Sequence, residues 1–237
     1  LAQAQAEPDR PQLAAARAEQ TSGSVTRMLD SNHPQYASGP DTALMHSDLW
    51  CEGKPFEACS RVILGRQIAK AAEMSFAMKL GMEAEFFVFR EGEGRPEPVS
   101  PLPHLAKPAY DTTRLLDNFD WLTELVDAMN ALGWDVYSFD HEDGIGQVEI
   151  DFAYADVRTM ADRYVFLRMM ANAIARKHGA YASFMPKPYV ERTGSGAHFN
   201  MSLAFAATGE NLFKAADDPR GCGLSALGYQ FLAGVLR

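Results

Sequence analysis

Cysteine is scarce in this chain. The three residues Cys51, Cys59 and Cys222 form no Cys-x-x-Cys pair, so free thiols in a reducing compartment are expected rather than a disulfide framework. No apolar run approaches the ~18 residues that a bilayer span requires, and the start lacks the basic and apolar regions of a signal peptide. A cytoplasmic location and no membrane partner are the expectation. Basic residues are outnumbered, with 22 Lys and Arg against 31 Asp and Glu and a net charge of -9. That balance argues against a general nucleic-acid binder, which needs clustered cations. No internal repeat is visible. What remains is 237 residues of ordinary globular composition, 47% hydrophobic and 22% charged, enough for a sizeable core. The length allows one large domain, or a domain with a remnant of another. The first residue is Leu1 rather than Met, and the chain stops at Arg237 inside the apolar stretch GLSALGYQFLAGVLR. It is read as a fragment or a processed product, and is expected to be inactive alone.

Residues 1–40 carry no durable apolar period and are expected to form a poorly ordered tail. Residues 42–51 read as a strand. Val62, Ile63, Ile68, Ala69, Ala72 and Phe76 fall at helical spacing over 60–79. A strand follows from Lys79 to Phe89, then a helix over 118–131 with Gly133 at its C′ position. Strands over 135–139 and 147–152 flank a turn at Asp143, Gly144 and Gly146. A long helix runs from Arg158 to Lys177, strands cover 181–185 and 197–205, and a last helix begins near residue 223. The mixture, and a connection short enough for a hairpin, predicts an α+β fold with antiparallel pairing.

Three segments carry candidate chemistry. In GMEAEFFVF, Glu83 and Glu85 share one strand face with Phe87 and Phe89. Two like charges that close repel unless a cation lies between them; an exposed face with two ordinary glutamates is the alternative. In DHEDGIGQVEIDF, Glu142 precedes the turn and Glu149 follows it, with Asp140, His141, Asp143 and Asp151 nearby as further acidity and potential ligands. The alternative is an acidic turn in solvent. Ile145, Val148 and Ile150 argue for at least partial burial, and buried carboxylates without a nearby Lys or Arg call for a hard cation. In FMPKPYVERTGSGAHFNMSL, Gly194 and Gly196 permit close backbone approach. His198, Asn200 and Ser202 then alternate onto one strand face, where His198 is either a structural residue or a ligand.

Taken together the three segments resemble one family. GMEAEFF is similar to the Gly-x-Glu-x-Glu-Phe-Phe strand of glutamine synthetases, and HEDGIGQVEI to their His-Glu-x-x-x-Gly-Gln-x-Glu segment. FMPKP followed by GSGAHFNMSL resembles their Phe-Met-Pro-Lys-Pro…Gly-Ser-Gly-x-His-x-His-x-Ser signature. The resemblance runs from about Thr42 to Arg237 and is nearest to the type III-like branch, which includes γ-glutamylmethylamide synthetases.

The resemblance implies a catalytic domain of antiparallel strands forming a partial barrel flanked by helices over 60–237, and a remnant of a β-grasp domain, with Asp48, over 41–59. It implies two Mg²⁺ or Mn²⁺ positions: Glu85, Glu142 and Glu149 for the first, Glu83 and His198 for the second. Glu142 and Glu149 would be the catalytic carboxylates, Thr193 and Gly194 would contact glutamate, and Tyr154, Asn200 and Ser202 would face ATP. The implied activity is ATP-dependent ligation of glutamate with ammonia through γ-glutamyl phosphate. Ligation of methylamine or another small amine, and a non-catalytic structural or regulatory relative, are the alternatives. A homo-oligomeric ring is implied for the intact chain. Two departures stand out. Asn200 occupies the position of the second signature His, and Thr193 that of an Asn often found before Gly-Ser-Gly.

Overall fold

A computed structural model describes residues 24–27, 43–92, 96–99 and 107–237. The expected tail over 1–40 lies outside the described residues except for β1 (Ser24–Arg27), which pairs antiparallel with β2 (Ala43–His46). The chain divides into two compact units: residues 1–47, 82–153 and 161–199 in one, and 48–81, 154–160 and 200–237 in the other.

The organising element is β5 (Phe76–Arg90), a 15-residue strand of the six-stranded sheet. It pairs antiparallel with β7 (Gln147–Phe152), β8 (Ala155–Asp156) and β9 (Ala180–Ser183), and β7 pairs antiparallel with β6 (Val136–His141). The sheet order is β10 (Ala197–Phe205), β5, β7, β6. These pairings are those of the α+β fold expected from the short hairpin.

In the first unit the sheet separates two environments by simple alternation. Met82, Ala84, Phe86 and Val88 of β5 are buried, as are Val148, Ile150 and Phe152. Phe86 stacks on Phe184 at 4.7 Å and meets the edge of Trp121 at 6.2 Å. Trp121 lies in α3 (Phe119–Ala131), preceded by the short α2 (Thr112–Leu116). The helix α3 ends where the sequence indicated, with Gly133 at φ +71. On the other face of β5, Phe87 and Phe89 are buried against Tyr189 at the end beyond Glu83 and Glu85.

In the second unit β3 (Trp50–Cys51) pairs antiparallel with β4 (Lys54–Pro55), and α1 (Ser60–Glu73) is shorter than the apolar period suggested. Ser75 adopts φ +63, which no helix continues through, and Phe76 already belongs to β5. Arg61 donates to Asp48 at 2.6 Å. The helix α5 (Ala226–Val235) is capped by the Ser225 side chain accepting from the Gly228 amide. Asp218 fixes the loop before it, taking hydrogen bonds from Tyr229 Oη at 2.7 Å and from the amides of Arg220, Cys222 and Leu224. These bonds hold its carboxyl down at about 2. The helix α4 (Val157–Lys177) passes from this unit into the first.

The three cysteines are free. Among the described residues no helix is long and apolar enough to cross a membrane.

Phe86 is fully buried in the sheet–helix layer between the rings of Phe184 and Trp121. Phe86→Ala is expected to lower unfolding stability by about 3–5 kcal/mol, measured by chemical denaturation. A loss below about 1 kcal/mol would mean that the layer repacks freely.

Candidate active site

The site follows from register. On β5 and β7, Glu85 stands opposite Glu149 and Glu83 opposite Asp151. On the far side of β7, Glu149 is opposite Asp140 and Asp151 opposite Ser138. Two rows of side chains therefore cross three strands on one face: Asp140–Glu149–Glu85 and Ser138–Asp151–Glu83. Direct cross-strand pairing puts Cβ atoms about 4.5–5.5 Å apart, where like charges destabilise the sheet. Among the described residues, neither lysine nor arginine forms an ion pair with Asp140, Glu142, Glu85, Glu149 or Asp151.

The titration shifts record the strain. Glu149 is pushed up to about 7, first by burial and then by Asp151, Glu142, Glu85 and Glu83. Asp151 is raised to about 6, by burial and then by Glu83, Asp140 and Glu142, and its Oδ1 is buried without a hydrogen-bond partner. Glu142 is raised too, by burial and then by Glu85 and Asp140, against the pull of the Asp143 amide.

The third signature segment closes one side of the face. His198 Nδ1 lies 3.0 Å from Glu83 Oε2, which leaves Nε2 without a hydrogen bond among the described residues. One ligand atom each from Glu85, Glu149 and His198 lie within 4.8 Å of one another. Two carboxylates and an imidazole suit a divalent metal ion. The unpartnered Asp151 oxygen and the raised Glu149 show a surplus of negative charge that such an ion would relieve. A carboxylate holding Nδ1 of a histidine is the usual way of aiming Nε2 at a metal. The residues present therefore fit a divalent cation.

The glycine loop seats itself on Glu85. The Gly196 amide donates to Glu85 Oε2 at 2.8 Å, and a Cβ on Gly196 would lie 2.9 Å from Glu85 Oε1. A Cβ on Gly194 would lie 2.7 Å from the Pro186 carbonyl. Close approach to backbone requires glycine at 194, and a Cβ at 196 would displace the Glu85 carboxylate. Thr193 Oγ1 donates to Asp143 at 2.9 Å, and Lys107 pairs with the same carboxylate at 3.0 Å. The Lys107 and Thr193 bonds hold the Asp143 carboxyl below its ordinary value.

Seven of the residues singled out from sequence thus fall in one unit: Glu83, Glu85, Glu142, Glu149, Thr193, Gly194 and His198. Tyr154, Asn200 and Ser202 belong to the other unit. There Gly81 lies between Tyr154 and Asn200, whose Cβ atoms would be 3.7 and 3.5 Å from a Cβ placed on it. The Tyr154 ring is largely exposed. One candidate ligand changes role. His141 is buried and uses both ring nitrogens inside the hairpin: Nδ1 bonds the Glu142 carbonyl at 2.7 Å, and Nε2 accepts from the Gly146 amide at 3.2 Å. It is a neutral staple of the turn, and burial pushes its pKa down.

Sequence reasoning passed over Gln147, although it stood in the quoted Gly-Gln segment. It is wholly buried and bonded to Glu85 and to the glycine loop. It also passed over Tyr137, raised by burial and by Asp151, Glu83 and Glu149. Tyr110 was missed as well, raised chiefly by Glu142. Nothing in the spacing of these two tyrosines marks them.

A paired-carboxylate face, a histidine and a glycine loop thus meet in one unit. The model of the glutamine synthetase catalytic domain matches residues 57–237, and the chain belongs to the glutamine synthetase family. It is 38% identical over 198 residues to the glutamate–methylamine ligase of Methyloversatilis universalis, covering 84% of this chain and 44% of that protein. It is 37% identical over 198 residues to a glutamine synthetase of Rhizobium meliloti, covering 83% and 44%. The solved structure of a GmaS/ADP complex superposes with a TM-score of 0.79 at 38% identity, covering 85% of this chain and 46% of that one. The chain spans less than half the length of these relatives.

The raised carboxylates fix the sign of a pH effect. Glu149 and Asp151 titrate near 7 and 6 when folded, against about 4.3 and 3.9 unfolded. The native state then holds more protons than the unfolded one between about pH 4 and 7, so stability falls as pH rises through that window. The metal-free protein is expected to lose Tm from pH 5 to pH 8, Glu149→Gln to flatten the slope, and Mn²⁺ to raise Tm more at pH 8 than at pH 5. Calorimetry with and without chelator measures this. A flat profile with equal Mn²⁺ shifts at both pH values would refute the placement of these carboxylates.

Proposed function

We propose that the protein carrying this chain is an ATP- and divalent-metal-dependent ligase joining glutamate to ammonia or a small amine through γ-glutamyl phosphate. The observation that carries the reading is the carboxylate face itself, with Glu85, Glu149 and His198 converging beside the Gly194–Gly196 loop. The γ-carboxylate of glutamate would attack the γ-phosphorus of ATP, releasing ADP. A deprotonated amine would then attack the γ-carbonyl carbon and expel phosphate.

Glu85, Glu142 and Glu149 would hold one Mg²⁺ or Mn²⁺, and Glu83 with His198 a second. Bound there, the cations would neutralise charge on the transferring phosphoryl group. Gly196 keeps the Glu85 carboxylate oriented through its amide. Thr193, braced by Asp143, and Gly194 would line the glutamate side. The carboxylates of Glu142 and Glu149 would also offer an ammonium a cation-friendly place before it loses its proton. Tyr154 offers an exposed ring for adenine, and Asn200 and Ser202 polar groups for the nucleotide. A homo-oligomeric ring and a cytoplasmic location belong to the same proposal.

Glutamine and methylamide synthesis are supported about equally, by relatives of 37% and 38% identity. Asn200 favours a second reading, a family member without catalysis, because Asn cannot supply the positive charge of the signature histidine.

The full-length protein carrying these residues would be incubated with ATP, Mg²⁺ or Mn²⁺, glutamate, and ammonia, methylamine or ethylamine in turn, with products read by mass spectrometry. Formation of ADP in step with one γ-glutamyl amide is expected. Glu149→Gln is expected to lower turnover on the order of 10²-fold, and Asn200→His to raise it. Cation binding without any γ-glutamyl product would favour the non-catalytic reading. Undiminished turnover of Glu149→Gln at saturating metal would refute the ligand set.

A further inference from the structure

The side chain of Gln147 lies wholly buried at the junction of three parts of the site. Its Oε1 accepts from the Gly144 amide at 2.9 Å. Because that neighbour can only donate, the orientation of the carboxamide is fixed, and Nε2 must face the other way. On that side stand Glu85 Oε2 at 2.9 Å, the Gly194 carbonyl at 3.1 Å and Ser195 Oγ at 3.3 Å. The β6–β7 turn, a candidate cation ligand and the glycine loop thus meet on one carboxamide.

The consequence for Glu85 is specific. Its Oε2 receives two N–H donors, Gln147 Nε2 and the Gly196 amide. Its Oε1 has no hydrogen-bond partner among the described residues. One oxygen is tied down and the other is left for a cation. The Gly144 amide fixes the carboxamide in turn, and Gly144 itself has no room for a side chain. A Cβ there would lie 2.6 Å from the Phe87 ring and 2.8 Å from Gln147 Oε1.

We infer that Gln147 is a positioning residue that couples cation binding at Glu85 to the conformation of the Thr193–Gly196 loop. The inference rests on the reading of this face as a cation- and glutamate-binding site. A cation drawing on Glu85 Oε1 stiffens the carboxylate, and Gln147 passes that constraint to the Gly194 carbonyl within the segment proposed to meet glutamate. Gln147 itself touches neither ligand. A carboxylate at this position would keep the Gly144 bond but set an acceptor against Glu85 Oε2 and the Gly194 carbonyl. An apolar side chain of similar length would lose every bond while filling the space.

The test uses two variants of the full-length protein, Gln147→Glu and Gln147→Met. Mn²⁺ affinity is measured by titration calorimetry without substrates, and KM for glutamate and kcat are measured separately. Both variants are expected to lose Mn²⁺ affinity by about 10–100-fold, the usual effect of removing a partner that orients a ligand. KM for glutamate should rise while kcat at saturating cation and glutamate changes less. A purely structural role would lower Tm without moving Mn²⁺ affinity or splitting KM from kcat. Variants that fold and keep both constants within about two-fold of the parent, well short of that 10–100-fold range, would overturn the inference. So would a result in which both variants stay unfolded with and without Mn²⁺. Loss of Mn²⁺ affinity in a protein that makes no γ-glutamyl product would sustain the positioning role and refute the ligase reading alone.

Discussion

Mutual repulsion of carboxylates across three antiparallel strands is the constraint around which the first unit is arranged. Glu85, Glu149 and Asp140 stand in one row and Glu83 and Asp151 in the next, with the hydrophobic face of β5 directly behind them. The core determines this. A slip of one residue in β5 would carry Ala84 and Phe86 to the polar face and the glutamates into the core. Register is therefore held by burial, and burial in turn holds the acidic groups together against their charge. The devices nearby serve the same end. His141 staples the turn in its neutral form, Gly146 takes φ +78, and its carbonyl receives the Val88 amide at 2.8 Å. Each removes freedom from the hairpin that delivers Glu142 and Glu149.

The period-2 alternation of GMEAEFFVF made β5 and its polar face legible from sequence, and the Asp-Gly-x-Gly turn made the hairpin legible. The strand over 197–205 and the helix over 119–131 followed from the same patterns, and the helix stops before Gly133, whose φ of +71 glycine adopts easily. Cross-strand partners were hidden because they depend on the exact geometry of a turn. Nothing in the spacing says that Glu149 faces Glu85 while Asp151 faces Glu83. The sharp exit of α1 at Ser75 was hidden for a related reason, since the apolar period continues through Phe76 while the backbone does not. His141 and Gln147 show the limit most plainly. Both are polar residues beside a turn, and each has its hydrogen bonds inside the fold, through neighbours that only folding brings together.

The family follows from the domain match and the site, whereas the choice of amine does not follow from either. Under the proposed activity, the residues that gather on the sheet would serve cations and phosphoryl transfer rather than the amine. Ammonia and methylamine differ by a single methyl group, and a methylene-sized difference in a pocket is worth only about 1–3 kcal/mol. Discrimination on that scale rests on the local shape around the attacking nitrogen rather than on the charges described above.

The charge of the face also dictates an order of dependence under the proposed activity. ATP is a polyanion, and the described face is a cluster of carboxylates with the His198 imidazole beside it. The nearest arginine in the signature segment, Arg192, lies over the Tyr189 ring at 4.2 Å with its Nη1 buried and without a hydrogen-bond partner. Lys187 is spent on the Arg192 carbonyl and Lys107 on Asp143. Among the described residues of this face, divalent ions would be one source of the positive charge that meets phosphate. Cation and nucleotide must then reinforce each other's binding, and the reinforcement is reciprocal because it is a single coupling free energy. The same carboxylates that destabilise the empty sheet are what make that coupling strong.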